Sequence, residues 1–256
     1  MNQPEPFQIP QIPVANDLTL ADLRLALAKG WADYRAHPLF GMFFAAFYIA
    51  GGLALSWLLA TRGSSMWLIP AASGFPLIAP FTAVGLYEVS RRREAGLPLS
   101  WGAVLGALRG RGDDQLLMIG EFVFVGFTFW MILAHGIFAI FMAESGVGGE
   151  SLAMLQTTSG IAMLAVGTVT GALMAFLFYA VTVISLPLLV DKDIDFLTAI
   201  IKSLRAVQLN RMVMVVWATI IAATLFAAMI PAFLGLLVVL PVLGHATWHL
   251  YRRVVD

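Results

Sequence analysis

Cysteine is absent from the 256-residue chain, which excludes disulfides, thiolate metal sites and a cysteine nucleophile. Charge is scarce: Asp, Glu, Lys and Arg make up 12% of the residues, against about 25% in soluble domains. These charges sum to zero, which gives no electrostatic basis for nucleic acid as a partner. Only four histidines are present, so metal chemistry has few ligands to draw on. What fills the chain instead is hydrophobic, 60% of all residues, with a mean hydropathy of +0.88. Soluble domains run at about 45–50% apolar, so the composition implies an integral membrane protein in a lipid bilayer.

About 20 apolar residues carry a helix across the hydrocarbon layer. Runs at about 39–59, 66–90, 116–142, 160–190, 212–229 and 232–250 predict six spans. The second carries Pro70, Pro76 and Pro80; the fourth is too long to stand upright and is expected to tilt or to end near Pro187. The last two come from one long run broken at "MIPAFLG", where Pro231 suits the first turn of a new helix. Residues 1–17 read as a polar, flexible leader without signal-peptide character, and 18–256 as one transmembrane domain. All of the fifteen basic residues except Arg62 fall in the tails and the even-numbered connections. By the positive-inside rule both termini are cytoplasmic.

Three segments on that basic side share one design. "LTLADLRLALAKGWADY" gathers Leu20, Leu23, Leu27, Trp31 and Tyr34 on one face, with Asp22, Lys29 and Asp33 away from it and Thr19 with Asp22 as a capping box. "LSWGAVLGALRG" gathers Trp101, Val104, Leu105 and Leu108 behind Ser100 as cap. "IDFLTAIIKSLRAV" gathers Leu197, Ile200, Ile201 and Leu204 behind Asp195. Each precedes a pair of spans. The expectation is an all-α, polytopic membrane fold of three pseudo-repeats, each an amphipathic helix plus a transmembrane hairpin. The apolar face of each short helix would lie in the headgroup boundary or against the bundle.

Few groups could carry chemistry. His245 and His249 are one turn apart on a helix face, about 10 and 5 Å from Arg252 along the axis. Glu88, Glu121 and His37 fall at a similar depth, so the five could form one polar cluster near the basic interface. Such groups could relay protons, hold a metal, or only satisfy hydrogen bonds at helix ends. The histidine spacing is that of HExxH metalloproteases, but Ala246 replaces the general-base glutamate. His135 lies about 21 Å beyond Glu121 and cannot join the cluster. "DKDIDF" has alternating acids, but Phe196 and Lys202 stand where a calcium loop needs glycine and glutamate. "GTVTG" has small-xxx-small spacing suited to close helix packing. No cofactor site and no catalytic constellation is evident.

Four stretches carry a family resemblance: "GWADYRAHPLFG", "PLIAPFTAVGLYEVSRRREAG", "VISLPLLVDKDIDFLTAIIKSLRAV" and "GLLVVLPVLGHATWHLYRRVV". With them the chain resembles the bacterial predicted integral membrane proteins of domain-of-unknown-function family 2189. The resemblance implies a six-span inner-membrane protein, mostly proteobacterial, without an established activity. Some members are labelled as a cytochrome c oxidase subunit, but an oxidase core needs several deep histidines and only His135 is deep here. The expected role is therefore non-enzymatic: an accessory, scaffold or assembly partner of another membrane complex. The alternatives are a small-solute or proton transporter using the Glu/His cluster, and a haem- or metal-binding protein.

Overall fold

The computed structural model describes residues 12–62, 79–107, 115–143 and 157–255, and the described residues form helices joined by short connections. In chain order they are α1 (Leu20–Ala36), α2 (Pro38–Arg62), α3 (Ala79–Glu94), α4 (Trp101–Gly106), α5 (Gln115–Ala143), α6 (Thr158–Thr182), α7 (Ser185–Asp191), α8 (Phe196–Leu209), α9 (Arg211–Met229) and α10 (Leu236–Val255). Four helical stretches are long and apolar enough to cross a membrane: Pro38–Leu58, Gln115–Phe141, Thr158–Asp191 and Arg211–Met229. The second and sixth expected spans differ from these. α3 is described only from Ala79 and ends in Arg91, Arg92 and Arg93, while Pro70 and Pro76 lie outside the described residues. α10 is long enough, but its second half carries His245, His249, Arg252 and Arg253 and is packed inside the bundle.

The three expected caps form. Thr19 Oγ1 accepts from Asp22 N–H in a reciprocal capping box, Ser100 Oγ accepts from Ala103 N–H, and Asp195 Oδ1 accepts from Thr198 N–H at 2.8 Å. The expected apolar faces are divided between the bundle and the outside. On α1 the buried residues are Leu23, Ala26, Gly30 and Asp33, whereas Leu20 and Trp31 are exposed. On α8 they are Thr198, Ala199, Ser203, Ala206 and Val207, with Leu197 and Ile201 outside. On α4 only Val104 is buried, Trp101 lies against Phe40 and Phe43, and Leu108 is outside the described residues. In a bilayer, large apolar side chains can face lipid, and small ones allow helices to approach.

Gly30 shows how close that approach is. A Cβ there would meet Ala246 N at 2.6 Å and Val242 O at 2.7 Å, so α1 and α10 pack backbone to backbone. α2 lies on α10 through Gly41, where a Cβ would stand 2.5 Å from Pro241. Of the leader, residues 12–17 are held down: Ile12 O accepts from Lys202 Nζ, Ala15 N–H donates to Val254 O, and Asn210 bonds Ala15 O and the adjoining Leu18 N–H.

The long fourth run breaks at Val183–Ile184. Pro187 has no N–H for the Val183 carbonyl, and its ring crowds that carbonyl. Ser203 of α8 fills the gap, its Oγ donating to Ala180 O at 2.6 Å and accepting from Ile184 N–H at 3.2 Å. The other break comes later than the sequence suggests. Pro231 sits in the turn, and α10 starts at Leu236. Ala232 and Phe233 take left-handed φ values of 51° and 65°, and the Phe233 ring closes over Gly52.

Candidate functional site

The capped, close-packed α1, the arginine-tipped α3 and the polar half of α10 converge at one end of the bundle, with Asp33 at their centre. The Asp33 side chain is 8% exposed. Its Oδ2 accepts from Ser90 Oγ at 2.6 Å and lies 2.8 Å from His249 Nε2; its Oδ1 is bound by Arg93. His245 Nδ1 lies 2.8 Å from Ser90 Oγ. Because the Ser90 hydroxyl proton points to Asp33, His245 must donate through Nδ1, and its buried Nε2 has no hydrogen-bond partner among the described residues. The result is a chain from His245 through Ser90 to Asp33 and on to His249.

A second carboxylate continues it. Glu94 Oε1 lies 3.2 Å from His249 Nδ1, near enough for an ion pair but out of line for a hydrogen bond. Glu94 Oε2 accepts from Trp248 Nε1 at 2.9 Å and pairs with Arg252. Asp191 at the end of α7 takes Tyr251 OH at 2.7 Å and Arg252 at 3.3 Å. Burial would raise the Asp33 carboxyl, but hydrogen bonds from His249 and Ser90 and the neighbouring imidazoles outweigh it and hold it below the usual value. At Glu94 burial is likewise outweighed, by His249, Trp248 and Arg252.

Of the five residues singled out from the sequence, the structure brings His245 and His249 into this network. Glu88 is buried on α3 and held at 2.7 Å by a two-pronged Arg91 contact and by Arg92 Nε. Glu121 is exposed on α5, on the opposite side from the buried Leu116, Ile119 and Val123. His37 is half-buried at the C-cap of α1 and outside the bonds that build the network. His135 packs near Phe138 on α5, away from it. Of the "DKDIDF" acids, Asp195 caps α8 and Asp191 is the acceptor for Tyr251 and Arg252.

Asp33, the hub, was expected on the polar face of α1. The sequence signal that marks it is a small-residue ridge, Ala26–Gly30–Asp33, whose last member is a carboxylate. Ser90, Arg93, Glu94 and Asp191 carry no local signal; only the packing of α3 and α7 on α10 gathers them.

Chemically the network is closed. Ser90 is fully buried, and its proton points to a carboxylate and not to an imidazole, so it is not set up as a nucleophile. Among the described residues, no group of three or more His, Asp or Glu could hold a metal ion.

An apolar opening lies elsewhere. A cleft of about 780 Å³ separates α5 and α6 from α9 and α10, floored by Ala83 and Tyr87 of α3. Its walls include Trp130, Gly167, Gly171, Ala222 and Thr247 but none of the network's charged residues. The "GTVTG" pair divides here: Gly171 meets the Trp130 ring, and Gly167 faces open space.

Residues 68–191 match the model of a family described as predicted integral membrane protein, domain-of-unknown-function family 2189. The match covers α3 through α7; the two other helices of the network, α1 and α10, lie outside it. No curated protein and no solved structure matches the chain.

Proposed function

From a chain whose residues 68–191 carry the domain of the integral membrane family 2189, we propose a non-catalytic accessory or assembly protein of another complex in the bacterial inner membrane. In this reading six spans form three hairpins, each led by a short interfacial helix. The basic end, with both termini, faces the cytoplasm. The observation that carries the reading is the separation of polarity from space. The buried charged groups neutralise one another inside the α1–α3–α10 network, while the large cleft is walled by apolar side chains. A proton or ion path needs charged or titratable groups along a passage; here the charged groups lie off the cleft and are already paired. The network then serves as a clamp that locks three helices.

Surface for a partner is available on α6, where Val166, Val169, Leu173 and Leu177 form an exposed stripe facing away from the cleft. Photo-crosslinking residues at Val169 and Leu173, in native membranes, are expected to yield one discrete protein adduct. Adducts with lipid alone, at these positions and at Phe124 and Ile132 of α5, would remove the accessory role.

A further inference from the structure

The cleft has a polar fitting that the clamp does not use. Tyr87 and Thr247 line it from α3 and α10, each more than nine-tenths buried, and neither hydroxyl has a hydrogen-bond partner among the described residues. Thr128, Thr182, Thr219 and Thr224 each return their hydroxyl to a carbonyl one turn back in their own helix. Thr247 does not. An unpaired hydroxyl in a hydrocarbon setting costs about 1–3 kcal/mol unless something supplies an acceptor.

The depth of the two hydroxyls indicates what could supply it. Tyr87 stands four residues from Arg91 and Thr247 five from Arg252, which places them about 6 and 8 Å inward of the arginines along their helices. In the proposed orientation the arginines stand near the level of lipid phosphates, and ester carbonyls lie just beneath that level, at the edge of the hydrocarbon. Beyond the hydroxyls the cleft is mainly apolar, broken by Thr168, Thr182 and Thr219, and extends along α6 from Val183 to Met163, about 30 Å. Its rim residues Leu164, Val215 and Phe226 are exposed, so it opens sideways to the bilayer. Its basic end is closed by Tyr179 OH donating to Met214 O at 2.9 Å.

We propose that this cleft seats a membrane phospholipid, with an acyl chain along α6 and α9 and an ester carbonyl accepting from Tyr87 and Thr247. A volume near 780 Å³ is within the range of ligand pockets, about 300–1,000 Å³. A transmembrane helix from another protein suits the site less well, because its backbone carbonyls are already satisfied within the helix. The lipid site is independent of the accessory role: its residues face away from the exposed stripe on α6.

The test uses the full-length protein in mild detergent, supplied with a diester phosphatidylglycerol or its diether analogue, with bound lipid counted by native mass spectrometry. The diether has the same headgroup and chains but lacks carbonyls. Wild type is expected to retain about one diester lipid per chain and at least fivefold less diether. Tyr87→Phe with Thr247→Val removes two unpaired hydroxyls only, so the variant folds, and it should lose the diester preference. Thr219→Val, in the same cleft but with its hydroxyl bonded to Val215 O, should keep it. Ala222→Trp, which fills the cleft, should retain neither lipid. Equal retention of diester and diether by wild type overturns the proposal, as does an undiminished preference in the double variant. Displacement of lipid by a co-purifying protein that cross-links to Ala222 also overturns it.

Discussion

At Gly30 a missing methyl group sets the distance between two helices. The α10 backbone lies where a Cβ would be, so Gly30→Ala should cost about 1–3 kcal/mol by overpacking. That would lower the thermal midpoint of the detergent-solubilised protein by several degrees. Gly102→Ala, with nothing within 4 Å, should leave the midpoint unchanged or raise it slightly. Ser203 is a comparable single point of control. Ser203→Ala leaves Ile184 N–H and Ala180 O facing each other across the helix break without their bridge, a loss of about 1–3 kcal/mol, read in the same melt. Asp33 adds a pH signature. Its folded carboxyl titrates below the ordinary value, so its stabilisation is complete above pH ~4 and is lost as pH falls through the folded value. A melting series from pH 7 to pH 3 should show this acid limb in wild type and a flatter one in Asp33→Asn, whose midpoint at pH 7 is lower. An equal slope in both would remove Asp33 from the hub.

Among the elements, helix starts were legible and helix faces were not. Thr19, Ser100 and Asp195 cap as their sequences indicate because a cap is a contact over three residues. Which side of α1 and α8 packs inward is not legible because apolar periodicity marks the side that avoids water, and at a bilayer two sides avoid it: one meets protein and the other lipid. Close packing assigned the small residues, Ala26 and Gly30 or Ala199 and Ser203, to the protein side. The same competition placed Glu121 outside the network, since α5 turns Leu116, Ile119 and Val123 inward. A prediction separates the two sides of α8. Leu197→Ser with Ile201→Ser should leave the melting midpoint in detergent within about 2 °C of wild type while weakening membrane anchoring. Ala199→Leu, at a fully buried position, should lower the midpoint sharply.

For the whole molecule, composition and the distribution of arginine point to a bilayer protein with one basic face, and the described helices agree with a membrane setting. The lack of cysteine makes the orientation testable without background labelling. Single cysteines replacing Ser64 and Gly148 should react with an impermeant thiol reagent in intact cells, and one replacing Gly102 only after permeabilisation. The opposite pattern would invert the topology. Long apolar runs, caps and basic ends could be read from the chain alone because each depends on a solvent preference or on neighbours within one turn. The Asp33–Ser90–His245–His249 chain, the Ser203 bridge and the apolar cleft could not. Each joins residues that are far apart in sequence, and only the packing of small side chains, which lets backbones approach to contact, brings them together.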